Sequence, residues 1–272
     1  MEPTPVAEAA RRLGLTLQEM ETVKEGSGFH ALAEFAPDVL AVVAYGEILP
    51  KTVLDLPAVA PVNVHFSLLP ELRGAAPVQR AILDGLGVTG VTTIEMDEGM
   101  DTGPVLLQAQ EPIEPTDNAE TLGARLAALG GALLVETLDG LEAGTLEGRP
   151  QDGEGATYAL KLRPADRLID WSQPSQVIVR QVRALAPEPG AATSFRGKAL
   201  KVLSARRIQV PVPTDGDHAT EPGRVARHEE GLGVWSGDGL VILDEVQPEG
   251  RRRMGGADFV RGYRPQDGES LG

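Results

Sequence analysis

The 272-residue sequence contains no cysteine. Disulfides, thiolate nucleophiles and cysteine-based metal sites are therefore excluded. It has only four histidines, and none is spaced with Asp or Glu as a metal-ligand set, so no metal is expected. Long apolar runs are missing too. The longest, Val39 to Tyr45, falls far short of the roughly 20 residues that cross a bilayer. The opening "MEPTPVAEAARRLGL" has no basic flank before an apolar core and does not read as a signal peptide. Internal repeats and low-complexity tracts are also lacking. These absences lead us to expect a cytoplasmic protein with no membrane partner, acting as a monomer.

What is present is an ordinary apolar content of 42% in a chain long enough for one large or two ordinary domains. The net charge of −15 argues superficially against a polyanionic partner. Its distribution does not. Residues 1–177 hold 11 Lys/Arg against 27 Asp/Glu, whereas residues 178–272 hold 14 against 13, with clusters at Arg206-Arg207 and Arg251-Arg252-Arg253. The second part can meet a polyanion, although a solvated surface explains such arginines equally well.

Thr4, Pro5 and Gly14 bracket a first helix. "PDVLAVVAYG" reads as a buried parallel strand and "APVNVHFS" as a second. "AAPVQRAILDGLG" is a helix between Pro77 and glycines. "VTGVTTIEM" and "VLLQAQEPI" alternate as strands, and a long amphipathic helix follows from Asn118. Alternation of this kind indicates an α/β layer fold over residues 1–143. Residues 144–177 are rich in Gly, Pro and charge and read as a linker. "SQVIVRQVRALAP" is a helix, and the evenly spaced short strands after it, within 178–272, suggest a small β-barrel. "GGADFVRGY" is a closing helix.

The segment "VNVHFSLLPELRGAAP" carries the chemistry. Asn63 and His65 lie two apart and so project from one strand face. At the carboxyl end of a parallel strand they reach the crevice where open α/β sheets bind ligands. The loop "EMDEGMDTGP" offers Asp97, Glu98 and Asp101 between glycines. An amide donor, an imidazole and a carboxylate suit acyl transfer to an amine, because the oxyanion needs donors and the amine must lose a proton. A satisfied structural Asn-X-His pair and a solvated acidic turn are the bland alternatives. His30, His218 and His228 sit in contexts that point to no chemistry.

These segments, with "VVAYGEILP" before them and "TYALKL…IDWSQP" and "QPEGRRRMGGADFVRGYRPQDGESLG" after, closely resemble the folate-dependent formyltransferases, from about residue 2 to the C-terminus. The resemblance implies a doubly wound, Rossmann-like catalytic domain followed by an OB-like barrel. It implies transfer of the formyl group of 10-formyltetrahydrofolate to the α-amine of methionine on initiator tRNA. Position by position, Asn63, His65 and Asp101 match the family's catalytic residues, with Asn63 and His65 on the oxyanion and Asp101 orienting His65. Ser67, Leu68, Leu69 and Pro70 match the tetrahydrofolate-binding element, and Tyr45, Gly46, Ile48 and Leu49 would wall the pteridine pocket. Arg206, Arg207, Arg251, Arg252 and Arg253 become candidates for the tRNA backbone. The rival readings are transfer to another amine, such as an amino-sugar nucleotide, and a non-catalytic tRNA-binding remnant.

The pattern has departures. The family's opening βαβ segment, on the order of 60 residues, is not seen ahead of the first helix, as in a fragment or a start assigned downstream. The catalytic domain is therefore expected to be incomplete, with apolar strand edges exposed. Glu71 and Leu72 replace a basic-aromatic pair, and Pro187 to Ala191 depart from the family's Pro-aromatic-Pro-Gly-Ala turn.

Overall fold

The structure, a computed structural model, describes residues 4–208, 210, 220–228 and 231–272; His218 lies outside these. Pro5 opens α1 (Pro5–Leu13), the Thr4 hydroxyl accepts the Ala7 amide at 3.2 Å, and Gly14 ends the helix at φ 67°. A following helix, α2 (Gly26–Glu34), leaves no such signal, since it carries two glycines and its flanking Glu25 makes no capping bond.

The first sheet has the order β1 (Val39–Val43), β2 (Ala60–His65), β3 (Val88–Glu95) and β4 (Val105–Pro112). Between β1 and β2 lies the short α3 (Lys51–Leu54), and α4 (Pro77–Asp84) precedes β3. Strands β1 and β2 are parallel, Val42 facing Asn63. The pairs β2–β3 and β3–β4 are antiparallel. One expectation needs correction. β1 is parallel but not buried: it is the sheet edge, and Val43 is 50% exposed.

Helix α5 (Ala119–Glu142) starts with a reciprocal cap between Asn118 and Thr121, at 2.9 and 3.1 Å. It is long and apolar enough to cross a bilayer, but here its Leu122, Leu126 and Leu133 pack on Val64 of β2 and Val91 of β3. Gly130 permits that approach, because a Cβ there would stand 3.0 Å from Val64.

The second sheet is antiparallel and runs β5 (Ala191–Phe195), β6 (Lys198–Ile208), β9 (Leu240–Pro248), β8 (Gly231–Trp235) and β7 (Val225–His228), with β10 (Met254–Gly255) beside β9. Register shifts around Ser204 bend β6 against β9. The sheet curls into a half-barrel over a core that includes Val202, Leu243 and Phe259, the last from α7 (Gly256–Tyr263). Helix α6 (Ser175–Leu185) serves both units. Its Ile178, Val182 and Leu185 enter the second core, and Ala184 joins the first. Asp238 holds its start by accepting the Ser175 amide at 2.6 Å.

A polar node fixes the turn between β4 and α5. Buried Asp117 accepts from the Glu114 amide at 2.7 Å, the Thr121 hydroxyl at 2.9 Å, and Arg125 at 2.6 and 2.8 Å. The Arg125 hydrogen bond outweighs burial and holds the Asp117 carboxyl down at about 2, against an ordinary 3.8. A depressed carboxyl contributes stability above its unfolded value and loses it as pH falls through the folded one. Acid unfolding of the wild type should therefore show a loss of stability between pH 4 and 2 that Asp117→Asn lacks. At pH 7 the variant should be destabilised by about 2 kcal/mol, a shift that denaturant titration at each pH would measure.

Candidate active site

His65 closes β2 and is almost fully buried, 6% exposed. Its Nε2 lies 2.9 Å from the Leu72 carbonyl. A carbonyl only accepts, so Nε2 carries the proton, and in the neutral ring the lone pair is on Nδ1. Nδ1 faces Asp101 Oδ2 at 3.6 Å, too far for a hydrogen bond. Asn63, two residues back on the same face, donates from Nδ2 to Asp101 Oδ1 at 3.3 Å, which fixes the orientation of its amide. The Gly74 amide donates to Asp101 Oδ2 at 2.8 Å. One carboxylate thus meets an amide side chain, a backbone N–H and an imidazole.

Two loops deliver these groups. The β3–β4 connection leaves β3 opposite Pro61, where Met96 bonds to it, and folds back over the Asn63–His65 face. The 66–76 loop brings Leu72 and Gly74. Leu72 and Asp101 both adopt left-handed backbone, at φ 57° and 53°, at a cost of roughly 1–2 kcal/mol each. Gly74 sits at φ 120°, and a Cβ there would lie 2.8 Å from the Ala159 carbonyl.

The 144–159 segment supports both loops. Arg149 exchanges two backbone hydrogen bonds with Val105, each 2.8 Å. Gln151 donates to the Asp101 and Gly103 carbonyls, and accepts from buried Arg73. The Leu72 amide donates to the Thr157 hydroxyl at 2.8 Å, the Arg73 amide donates to the Thr157 carbonyl at 2.9 Å, and the Arg73 carbonyl accepts from the Ala159 amide at 2.7 Å.

Asn63, His65 and Asp101 line one cavity of about 380 Å³. Val42, Ile48, Leu49, Ile94 and Met96 make its apolar wall, with Tyr45 and Gly46 beside them. The Tyr45 hydroxyl is buried and has no hydrogen-bond partner, a polar atom waiting for one inside an apolar pocket. Among the described residues no group of acidic or histidine side chains could hold a metal ion.

The other expected site residues fall elsewhere. Ser67 and Leu69 are buried, and neither they nor Leu68 and Pro70 line the cavity. The Ser67 hydroxyl donates to the Glu71 carbonyl at 2.6 Å, and Thr92 and Gln108 hold the backbone of Ser67 and Leu69. These bonds shape the loop that follows β2. Arg206 pairs with Asp244 at 3.1 Å. Arg207, adjacent on β6 and so facing away from it, lines a second cavity of about 340 Å³ with Arg180 and Arg183. Arg251, Arg252 and Arg253 are exposed on the turn before β10, with Arg253 3.8 Å from Glu188. The reading by sequence missed Arg180 and Arg183; their three-residue spacing on a helix of known polarity was the available signal. Burial pushes the Arg183 guanidinium down, and the neighbouring Arg180 charge adds to that. Arg183 donates to the Glu114 carbonyl at 2.9 Å and to that of Asp117.

Comparison with known proteins adds to this geometry. Residues 2–138 match the family model described as formyl transferase, and residues 161–264 match its C-terminal domain. The chain is 44% identical over 271 residues to a methionyl-tRNA formyltransferase of Koribacter versatilis, covering 99% of this chain and 84% of that protein. In fold it is similar to HypX from Aquifex aeolicus, solved with tetrahydrofolic acid, at a TM-score of 0.65 and 21% identity, covering 85% of this chain and 40% of that one. It is also similar to a methionyl-tRNA formyltransferase from Clostridium thermocellum, at a TM-score of 0.58 and 19% identity, covering 74% of this chain and 86% of that one.

The contact between His65 and Leu72 has a spectroscopic consequence. Long-range proton–nitrogen spectra should show the neutral His65 ring protonated at Nε2. A neutral form protonated at Nδ1 would contradict this geometry.

Proposed function

The chain belongs to the formyltransferase family, and from that premise we propose that it transfers a formyl group from 10-formyltetrahydrofolate to the α-amine of methionyl initiator tRNA. The observation that carries this reading is the Asn63–His65–Asp101 cluster on the wall of an apolar cavity. A pteridine ring is flat, largely apolar and edged with polar atoms. Tyr45, Gly46, Ile48 and Leu49 suit it, and the orphaned Tyr45 hydroxyl supplies a polar contact.

The reaction joins the amine nitrogen to the formyl carbon, breaks the bond from that carbon to the folate nitrogen, and moves the amine's proton to that nitrogen. Asn63 keeps one amide N–H for the formyl oxygen while Asp101 takes the other. His65, held at Nε2 by Leu72, offers Nδ1–H to the same oxygen when protonated. Asp101, beside both donors, takes up the amine's proton through a water. The protein thus acts by aligning donors and a carboxylate around one carbon. As a translation enzyme it acts in the cytoplasm.

The tRNA is read by charge on the second unit. Arg180, Arg183 and Arg207 around one cavity form the candidate phosphate track, and Arg206 and the exposed Arg251 to Arg253 are further candidates elsewhere on the second unit. An amino-sugar nucleotide acceptor is not favoured, because curated relatives at 43–44% identity over nearly the whole chain carry the tRNA-acting name.

Purified protein should formylate methionyl initiator tRNA with 10-formyltetrahydrofolate. His65→Ala and Asp101→Asn should each lower kcat at least about 100-fold, and Asn63→Ala comparably. Full turnover by any of them would remove that residue from the mechanism. Replacing Arg180 and Arg207 together with Ala, or Arg251 to Arg253 with Ala, should weaken tRNA binding. Each lost phosphate contact should flatten the salt dependence by about 0.7–0.9 in log–log slope. An unchanged slope would take those arginines off the track.

A further inference from the structure

Asp101 is held at an unfavourable backbone angle, and its carboxylate contacts do not account for that alone. Its carbonyl is held too. Gln151 uses its whole amide here: Nε2 donates to the Asp101 carbonyl at 2.8 Å and to the Gly103 carbonyl at 2.8 Å. Its Oε1 accepts from Arg73 Nε at 3.1 Å and Nη2 at 2.7 Å. Both donors and both acceptor lone pairs of the amide are used.

Arg73 makes the arrangement informative. It is 7% exposed, and among the described residues it has no carboxylate partner. Charge pairing alone would favour glutamate at position 151, because a buried guanidinium is best met by a carboxylate. A glutamate could not donate to the two carbonyls of the 101–103 turn. Only a side chain that accepts at one end and donates twice at the other meets all four groups.

The contacts close a ring. The Asp101 carboxylate accepts from the Gly74 amide, Gly74 follows Arg73, and the Arg73 side chain returns through Gln151 to the Asp101 carbonyl. Residue 101 is thereby gripped on both sides by residues 73 and 74. Leu72, the next residue back, holds His65. We propose that Gln151, aimed by Arg73, is a positioning residue that sets the distance between the Asp101 carboxylate and His65. This rests on the catalytic reading of Asp101 given above.

The test compares Gln151→Glu and Gln151→Met with wild type and with Asp101→Asn. Gln151→Glu keeps the Arg73 contact and should fold with an unfolding temperature near that of wild type. Its kcat should fall roughly 10- to 100-fold, since a displacement near 1 Å at a reacting group costs about that much. KM for the folate and for tRNA should stay within about twofold, as neither is bound by the clamp. The ratio of mutant to wild-type kcat should rise as pH falls toward the carboxyl's own range, where a protonated Glu regains a donor. Gln151→Met should lose activity without that recovery. A Gln151→Glu protein with wild-type kcat, beside an inactive Asp101→Asn, would overturn the clamp and leave the site reading intact. A fully active Asp101→Asn would overturn both. If neither Gln151 variant folds, the wild type still decides: both Gln151 amide protons should exchange slowly with water, and fast exchange would overturn the proposal.

Discussion

A carboxylate kept beside an imidazole without bonding to it is the constraint around which this site is built. Were Asp101 and His65 in direct hydrogen-bond contact, the ring's Nδ1 would be committed and unable to meet a substrate atom. The 3.6 Å separation holds because neither group is free to move. Leu72 fixes the imidazole from behind, and Asn63 and Gly74 fix the carboxylate. Both anchoring loops include a non-glycine residue in left-handed backbone. That strain persists only because the surroundings over-determine it.

The same constraint explains why the sheet is mixed. A parallel β3–β4 pair would need a long crossover between the two strands. The antiparallel β3–β4 pair returns the chain by a short loop that folds over the strand face itself. Asp101 then meets Asn63 and His65 side-on. The apolar cavity wall comes from β1, the segment after it and the β3 end, so donors and apolar wall face each other across one small space.

Much of this was legible in the sequence, for reasons that differ by element. Asn63 and His65 could be paired because strand periodicity is short and strict. Thr4–Pro5, Asn118 and the glycines after α1 and α4 announced helix ends through chemistry that acts within a few residues. Asp101 could be nominated among three acidic residues, but only resemblance separated it from Asp97 and Glu98. In the fold Asp97 instead accepts from Thr102 and Gly99 within its own turn. What stayed hidden depends on contacts distant in the chain. β1 reads as buried because its residues are apolar; its neighbours, not its composition, make it an edge. The bond from the Ser67 hydroxyl to the Glu71 carbonyl joins residues close in sequence, yet no periodicity announces it. Gln151 lies in a stretch whose composition is that of a linker.

That last case changes what the 144–177 segment is. Glycine, proline and charge describe a chain that crosses the surface, and it does so. On the way it pairs Arg149 with Val105, clamps the Asp101 turn, and docks Thr157 and Ala159 along the loop that carries Leu72 and Gly74. Farther on, Asp166 meets Arg80 of α4, and Leu168 bridges to Ala192 of β5 in the second sheet. One continuous strap therefore touches the backs of both catalytic loops before it reaches the unit proposed to hold tRNA. The reacting groups all belong to the first sheet and its loops, yet their relative positions are not determined there. A catalytic unit cut at the end of α5 would keep Asn63, His65 and Asp101. It would lose the hydroxyl that braces Leu72 and the amide that braces Asp101, so retaining the residues would not be retaining the site.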